Sequence, residues 1–374
     1  MATPFRLIAA ALGMTVALAA ALAAQQPRIE NGSVTAQPAG SPFAQSFRAL
    51  VSSQPDVAWI GYSVPVSDGE RVMCCFDSGT TFVNGMVSNS SGCCGACRLE
   101  PSSGGTSMSS RSDARSPSGA AKLEGPDRMV VLYRVADRKV DKVRVFSEDC
   151  RLDAGGRPVH WLENVRPADS IALLESLTAI EPDTRGRIAD GAITAIALHG
   201  DPAADSSLER LVAPNQPESV RKKVTFWLGN SRGRRGFETL RRVQREDPSL
   251  EVRKSAVFGL SQSRVPETLD TLVSIARSDT EPRLRGEALF WLAQKAGAKM
   301  AATIADRIDQ DPDTEVKKKA VFALSQLPKD EGVPLLIKVA RTNANPEVRK
   351  QAMFWLGQSK DSRAVDFFAE VLRK

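Results

Sequence analysis

Histidine is nearly absent from this chain, which has two copies, His160 and His199, among its 374 residues. Neither is followed by glutamate, so a metal site built from several His-Glu pairs cannot be assembled. The sequence also lacks a glycine-rich phosphate loop, a nucleophile elbow and an acidic pair with a partner. These absences disfavour an enzyme and predict no cofactor and no metal site. His160 is interpreted as a packing or hydrogen-bonding residue, and His199 as a helix-end residue whose positive charge would suit the helix dipole.

Long apolar runs are also missing, with one exception at the start of the chain. Residues 7–24 are apolar apart from small residues, Arg6 precedes them, and residues 21–23 (Ala-Leu-Ala) suit a signal peptidase. Residues 1–24 are therefore predicted to be a signal peptide, with an uncleaved anchor as the alternative. The many alanines make this stretch a poor anchor. We expect a soluble, exported protein of the periplasm or the extracellular space, with no membrane insertion after cleavage.

The second half of the chain has no cysteine, because all six lie in the first half. An even number of cysteines in an exported protein favours a structural disulfide framework. A thiolate zinc site and a redox CxxC motif at residues 94–97 stay open as alternatives, although no helical pattern follows the motif. The spacing does not choose among the possible pairings. The disulfide candidates are Cys74, Cys75, Cys93, Cys94, Cys97 and Cys150.

Helical periodicity is scarce before residue 166. Residues 25–50, rich in Gln, Pro, Ser and Ala, are predicted to be a flexible lead-in, and the Ser/Gly-rich stretch 101–125 is predicted to be a disordered loop. Residues 51–165 are predicted to form a small β-rich, cysteine-stapled domain around that loop.

Three stretches of this domain have the β-branched and aromatic composition of strands. They are residues 57–66, 128–135 and 139–146. The last two are separated by Ala136-Asp137-Arg138, which is predicted to form a hairpin turn.

Positive charge is concentrated in the C-terminal part. From residue 217 onward there are 30 Lys and Arg against 21 Asp and Glu, a net charge of +9, whereas the whole chain carries +6. An exported protein rarely meets nucleic acid, and the aromatic-plus-basic modules that bind it are absent. We therefore predict no nucleic-acid partner.

Self-similarity appears after residue 166, with a period of 32 residues. Phenylalanine recurs five times at this interval; Val or Leu precedes each Phe by six residues, and Leu follows it by two. The pattern predicts pairs of helices of about a dozen residues, each pair covering the apolar face of the next. The recurring residues are Phe226, Phe258, Phe290, Phe322 and Phe354.

The segments EVRKSAVFGLSQS, EVKKKAVFALSQL and EVRKQAMFWLGQS resemble the HEAT-repeat family, in particular its phycobilisome-lyase-type branch. The resemblance covers residues 166–374 and implies an all-α HEAT-type α-solenoid of five to six two-helix repeats that mainly holds other proteins. Some relatives are metal-dependent hydroxylases with His-Glu pairs on successive helices. The two histidines of this chain do not match that pattern, so the activity is not carried over.

One basic residue follows the Val or Leu position of every repeat. On a helical wheel this column lies at the edge of the apolar face, and the next column, of lysines, faces solvent. Because an aspartate precedes the basic residue of its own repeat by six residues, we predict structural pairs such as Asp279 with Arg285. The basic column is Arg221, Arg253, Arg285, Lys317 and Arg349, and the lysines are Lys222, Lys254, Lys318 and Lys350.

The repeated Phe falls on the far side of this wheel, away from the apolar arc. One interpretation is an outer spine in which neighbouring rings cover each other. The other is an exposed strip, flanked by the lysines, that binds a partner. Trp227, Trp291 and Trp355 follow the Phe in alternate repeats, point inward on the wheel and are predicted to be core residues.

The sequence therefore predicts an exported, non-catalytic scaffold that binds a protein partner of unknown identity in the cell envelope. The partner-binding candidates are the five phenylalanines and the four lysines. The alternative is an enzyme or a redox or metal accessory protein that uses the cysteine cluster.

Overall fold

The computed structural model describes residues 28–67, 81–83, 86–88, 97–100, 127–148, 150–179 and 187–373. The predicted signal peptide and the predicted disordered loop lie outside these residues. So do four of the disulfide candidates, Cys74, Cys75, Cys93 and Cys94.

The described residues of the N-terminal half form ten strands and one helix, in three sheets. These elements are β1 (Arg28–Glu30), β2 (Val34–Pro38), α1 (Phe43–Ser53), β3 (Ala58–Pro65), β4 (Thr81–Val83), β5 (Met86–Ser88), β6 (Cys97–Arg98), β7 (Arg128–Ala136), β8 (Lys139–Ser147), β9 (Arg151–Asp153) and β10 (Val159–Glu163). The main sheet has the order β2-β10-β3-β7-β8, with β2, β10 and β3 parallel and β3, β7 and β8 antiparallel. A smaller parallel sheet has the order β1-β9-β6, and β4 pairs with β5.

The three predicted strands correspond to β3, β7 and β8. The predicted hairpin between β7 and β8 is also present, and its turn residues Asp137 and Arg138 both have positive φ, 52° and 59°. Two successive residues with positive φ match the right-handed twist of the strands that they join.

The structure differs from the flexible lead-in predicted for residues 25–50. β1, β2 and most of α1 lie in this segment, and Phe43, Phe47 and Val51 of α1 are buried. Their spacing of four is a helical period that the surrounding polar residues obscured. β2 is an edge strand with mostly exposed side chains, so it has no alternating apolar pattern to detect.

The second half is an all-α solenoid of six helix pairs that follow one extra helix, α2 (Pro167–Thr178), as far as the structure describes the chain. The pairs are α3 (Arg187–Leu198) with α4 (Ala203–Leu211), α5 (Glu218–Ser231) with α6 (Gly233–Glu246), α7 (Leu250–Gln262) with α8 (Thr268–Ser278), α9 (Pro282–Ala296) with α10 (Ala301–Gln310), α11 (Thr314–Ser325) with α12 (Lys329–Thr342), and α13 (Pro346–Gln358) with α14 (Ser362–Leu372). The predicted fold class is confirmed.

The repeated apolar columns form the core of the solenoid. The Val/Leu position six residues before each Phe is buried in all five repeats, as is the Leu two residues after it. Pro282 and Pro346 are the first residues of α9 and α13, where a missing N–H costs least.

The main sheet packs directly against the first helices of the solenoid. Its face with Ile60, Tyr62 and Val131 shares one continuous core with α1, α2 and α3. β8 lies so close to α3 that a Cβ at Gly191 would be 2.1 Å from the carbonyl oxygen of Val143. The sheet therefore covers the apolar face that the first helix pair would otherwise expose.

Two buried tyrosines of the sheet form a chain of hydrogen bonds that reaches α2. The hydroxyls of Tyr62 and Tyr133 lie 2.5 Å apart, and Tyr62 also hydrogen bonds to Ser170 of α2 over 2.9 Å. Burial raises the pKa of Tyr62 to about 12 and raises that of Tyr133 as well, so both hydroxyls stay protonated. The other face of the sheet has a second core, which includes Trp59, Trp161 and Cys150.

Candidate functional site

Eight aromatic rings form an unbroken row across the first helices of five repeats, which we call the aromatic strip. Each ring contacts the next, with centroids 4.7–6.0 Å apart. The rings follow the order Trp227, Phe226, Phe258, Trp291, Phe290, Phe322, Trp355 and Phe354.

The strip has a period of 64 residues, because two neighbouring repeats contribute different contacts. Phe290 stacks on Phe322 of the next repeat, with ring planes 1° apart and centroids at 5.6 Å. Trp355 then fills the space between Phe322 and Phe354, with centroids at 4.9 and 5.0 Å. A tryptophan is needed only between one Phe pair and the next, which explains its appearance in alternate repeats.

The tryptophans pack against the core, as predicted, but they are not fully buried in it. Trp227, Trp291 and Trp355 are half-buried and pack against the edge of the core. Trp291 contacts Phe258 on the preceding first helix, so this wheel position points sideways along the row of helices. A wheel with one apolar arc does not include such lateral contacts.

The phenylalanines are partly covered. Four rings are half-buried by their neighbours, as the outer-spine interpretation predicts. Phe354, at the end of the strip, is 54% exposed. Ring edges thus line one surface of the solenoid, and binding of a partner along this surface stays a prediction.

The predicted lysines lie beside the strip, because each precedes a Phe by four residues on the same helix face. Lys222 and Lys350 are exposed. Lys254 and Lys318 form ion pairs with Glu251 and Glu315, at 3.3 and 2.9 Å. The strip therefore has a polar rim with positive charges at both ends.

Three arginines of the basic column form ion pairs across repeats, which corrects the predicted pairing within a repeat. Arg285 donates to both carboxylate oxygens of Asp311 of the next repeat, over 2.8 and 2.9 Å. Arg221 and Arg253 also form ion pairs across the repeat boundary, with Asp247 and Asp279, each through one hydrogen bond. Within its own repeat, Arg285 donates to the backbone carbonyl of Asp279 over 2.9 Å.

The pairing follows from where the aspartate lies. Asp311 is in the connection before α11, and its carboxylate also accepts the N–H of Asp313 over 3.0 Å. There it faces the arginine of the preceding first helix. Burial alone would raise the pKa of Asp311, but the hydrogen bonds from Arg285 and from the Asp313 N–H lower it.

The two histidines have structural contacts. His160 of β10 shares a 3.0 Å hydrogen bond with Gln54, as the packing interpretation allows. His199 directly follows α3 and is fully buried, and burial lowers its pKa to about 4. The predicted positive charge on His199 is therefore wrong; the guanidinium of Arg232 lies at this helix end instead and donates to the His199 carbonyl over 2.9 Å.

Two of the six cysteines are among the described residues, and Cys150 belongs to the second core. Cys97 begins β6, and Cys150 is buried. Within the described ranges, no group of three or more His, Cys, Asp or Glu side chains could hold a metal ion. None of the helices in these ranges is long and apolar enough to cross a membrane.

The pattern that defines HEAT repeats matches residues 211–293 and 301–374. This part of the chain belongs to the HEAT-repeat family. No curated protein matches the chain significantly.

Several solved structures resemble the HEAT-repeat solenoid weakly. YibA of Escherichia coli is 22% identical, with a TM-score of 0.33, covering 49% of this chain and 68% of its own. Human deoxyhypusine hydroxylase is 16% identical, with a TM-score of 0.29, over 56% and 80% of the two chains. The CpcE–CpcF complex of phycocyanin lyase from Nostoc sp. is 18% identical, with a TM-score of 0.32, over 42% and 98%. The family assignment rests on the repeat sequence itself.

Proposed function

We propose that this protein is an exported, non-catalytic HEAT-repeat scaffold that binds a protein partner of the cell envelope along its aromatic strip. The observation that carries the proposal is the row of ring edges along five successive repeats, which ends at the 54% exposed Phe354. Solenoids use their long surfaces to bind partners, and aromatic side chains dominate binding energy at interfaces.

The strip also indicates the chemistry of the partner. Four steps between first helices, of roughly 10 Å each, give a strip about 40 Å long. Its apolar centre and its flanking lysines suit an elongated segment with apolar residues and acidic neighbours. The net charge of +9 from residue 217 onward favours such an acidic partner.

The function can be tested at the exposed end of the strip. Full-length protein and the Phe354→Ser variant are used to capture partners from envelope extracts, and the captured proteins are quantified by mass spectrometry. Phe354→Ser should reduce capture of the specific partner at least tenfold. Val365→Ser is the matched control, because Val365 is a 65% exposed apolar residue on α14, outside the strip. Equal capture by both variants would contradict the proposal.

Export and disulfide bonding belong to the same proposal. The apolar segment at residues 7–24 and the even number of cysteines support them. Mass spectrometry of the mature protein without reductant should show an N-terminus after residue 23 or 24, no alkylatable thiol and no bound metal. Two or more reactive thiols, or one equivalent of zinc, would instead support the redox or metal accessory function.

A further inference from the structure

A cavity of about 290 Å³ lies where the end of α11 meets α12 and the end of α13. Its lining includes Ser325 and Leu327 at the end of α11, Trp355 of the aromatic strip and Ser359 at the end of α13. Leu324, Val333 and Leu336 contribute an apolar wall. The cavity thus opens beside the strip and shares one ring with it.

The same junction two repeats earlier contains a lysine side chain. Lys295 of α9 donates from Nζ to the carbonyl oxygens of Ser261 and Ser263, at 2.7 and 2.9 Å. These are the last carbonyls of α7, and helix C-termini have a partial negative charge that favours a cation. One junction of the chain therefore holds an ammonium between two carbonyls at a helix end.

The residues at the equivalent positions two repeats later, 64 residues further along the chain, line the cavity. The positions of Ser261, Ser263 and Lys295 become Ser325, Leu327 and Ser359, all of which line the cavity. Serine is too short to reach across, so the carbonyls of Ser325 and Leu327 accept no hydrogen bond from the described residues.

Trp355 places a hydrogen-bond donor in the lining of the cavity. Its indole N–H is buried and has no acceptor among the described residues. The equivalent Trp291 donates to Glu287 over 2.7 Å, but Gln351 stands at the position of Glu287 in this repeat. This N–H needs an acceptor, which an ammonium lacks, so a cation in the cavity can bind only through the carbonyls of Ser325 and Leu327.

From these observations we infer that the cavity is a binding site for a primary alkylammonium group, such as a lysine side chain. The ammonium donates to the carbonyls of Ser325 and Leu327, as Lys295 Nζ does at the earlier junction. The apolar wall accommodates the methylene stem. That the lysine belongs to the partner on the strip rests on the proposed function.

Lys329 also lines the cavity, and its positive charge opposes a cation. The earlier junction has the same feature: burial and the charge of Arg264 both lower the pKa of Lys295, which is nevertheless held there. The charge of Lys329 also acts on the nearby carboxylate of Asp361. The carboxylate of Asp361 thus offsets part of the charge of Lys329.

Titration of full-length protein with Nα-acetyl-lysine methylamide tests the site, with the indole N–H resonance of Trp355 in NMR as the readout. The resonance should shift and saturate with the lysine derivative and not with the norleucine derivative, which has the same stem without the charge. Equal shifts with both probes, or no shift, would overturn the inference, because the cavity would then be merely apolar or occupied by water.

Ser359→Lys tests the geometry. Ser359 has helical backbone angles, φ −71° and ψ −24°, so the new lysine can repeat the contacts of Lys295. We expect at least tenfold weaker binding of the lysine probe to this variant. Val365→Lys adds the same charge outside the cavity and should bind as the unmodified protein does. Unchanged binding by Ser359→Lys would contradict the inference.

The source of the ammonium is decided by partner capture. If it is a lysine of the partner, Ser359→Lys also reduces capture from envelope extracts, whereas a site for free amines leaves capture unchanged. Both results support an ammonium site provided that the probe binds. If Phe354→Ser leaves capture intact, the proposed function is wrong. The NMR titration still shows whether the cavity binds an ammonium.

Discussion

Arg285 and Asp311 form a buried ion pair with two hydrogen bonds, 2.8 and 2.9 Å long, across the boundary between two repeats. The side chain of Asp311 is fully buried, and that of Arg285 is 9% exposed. With the ion pairs of Arg221 and Arg253, this pair makes three of the five positions of the basic column connections between repeats.

Arg285→Ala should destabilise the protein by roughly 3 kcal/mol, because it leaves the buried carboxylate of Asp311 without its partner. Urea unfolding measures this loss. Lys350→Ala, at an exposed lysine, should change the unfolding free energy by less than about 0.5 kcal/mol.

A double-mutant cycle distinguishes the two possible partners of Arg285. Arg285→Ala combined with Asp311→Ala should show a coupling energy of at least about 1 kcal/mol, and Arg285→Ala with Asp279→Ala close to none. A larger coupling energy with Asp279 than with Asp311 would instead support pairing within a repeat.

Replacing a phenylalanine of the aromatic strip should destabilise the protein in proportion to how deeply that ring is buried. Phe322→Ala removes a ring held between Phe290 and Trp355, and we expect a loss of about 1–2 kcal/mol, less than the 3–5 kcal/mol typical of core Phe. Phe354→Ala, at the exposed end, should cost below about 0.5 kcal/mol. Thermal unfolding of the two variants tests the difference. A core-sized loss at both positions would show that the strip is only a packing device.

The burial of His199 predicts a pH dependence. Its folded pKa of about 4 lies below the ordinary value of 6.5, so between these values the unfolded chain binds a proton that the folded protein does not. This contribution to stability is fully present above pH 6.5 and is lost as pH falls toward 4, by up to about 3 kcal/mol.

His199→Asn should remove most of this change in unfolding free energy with pH, whereas His160→Gln should leave most of it. Urea unfolding at a series of pH values between 4 and 7 compares them. If the unfolding free energy of His199→Asn still changes with pH as it does in the unmodified protein, the pH dependence comes from other groups and the prediction is wrong.

Gly191→Val should detach the sheet from the solenoid, since any Cβ at this position meets the backbone of β8. We expect a loss of at least about 3 kcal/mol. Gly357→Ala is the matched control, because nothing lies within 4 Å of its added Cβ in α13, and it should stabilise by about 0.5–1 kcal/mol. Circular dichroism during unfolding provides the measurement; a small loss for Gly191→Val would show that sheet and solenoid fold independently.

The sequence alone determined the features that depend on local periodicity. A strict 32-residue spacing of Phe, with Val or Leu six before and Leu two after, specifies helix pairs and their buried columns, because a helix presents residues to one face at fixed intervals. The hairpin of β7 and β8 was equally predictable, since alternating apolar residues surround a short polar turn. The Phe residues of the strip could also be selected from their position on the wheel.

Only the tertiary structure decided which neighbour each side chain meets. Arg285 has one aspartate six residues before it and another 26 residues after it, and the sequence does not show which carboxylate lies closer in space. Trp291 points toward the preceding helix, and the carbonyl of the buried His199 accepts a hydrogen bond from the guanidinium of Arg232. A helical wheel gives the direction of a side chain from its own axis, whereas the partner in that direction depends on how the next helix is stacked.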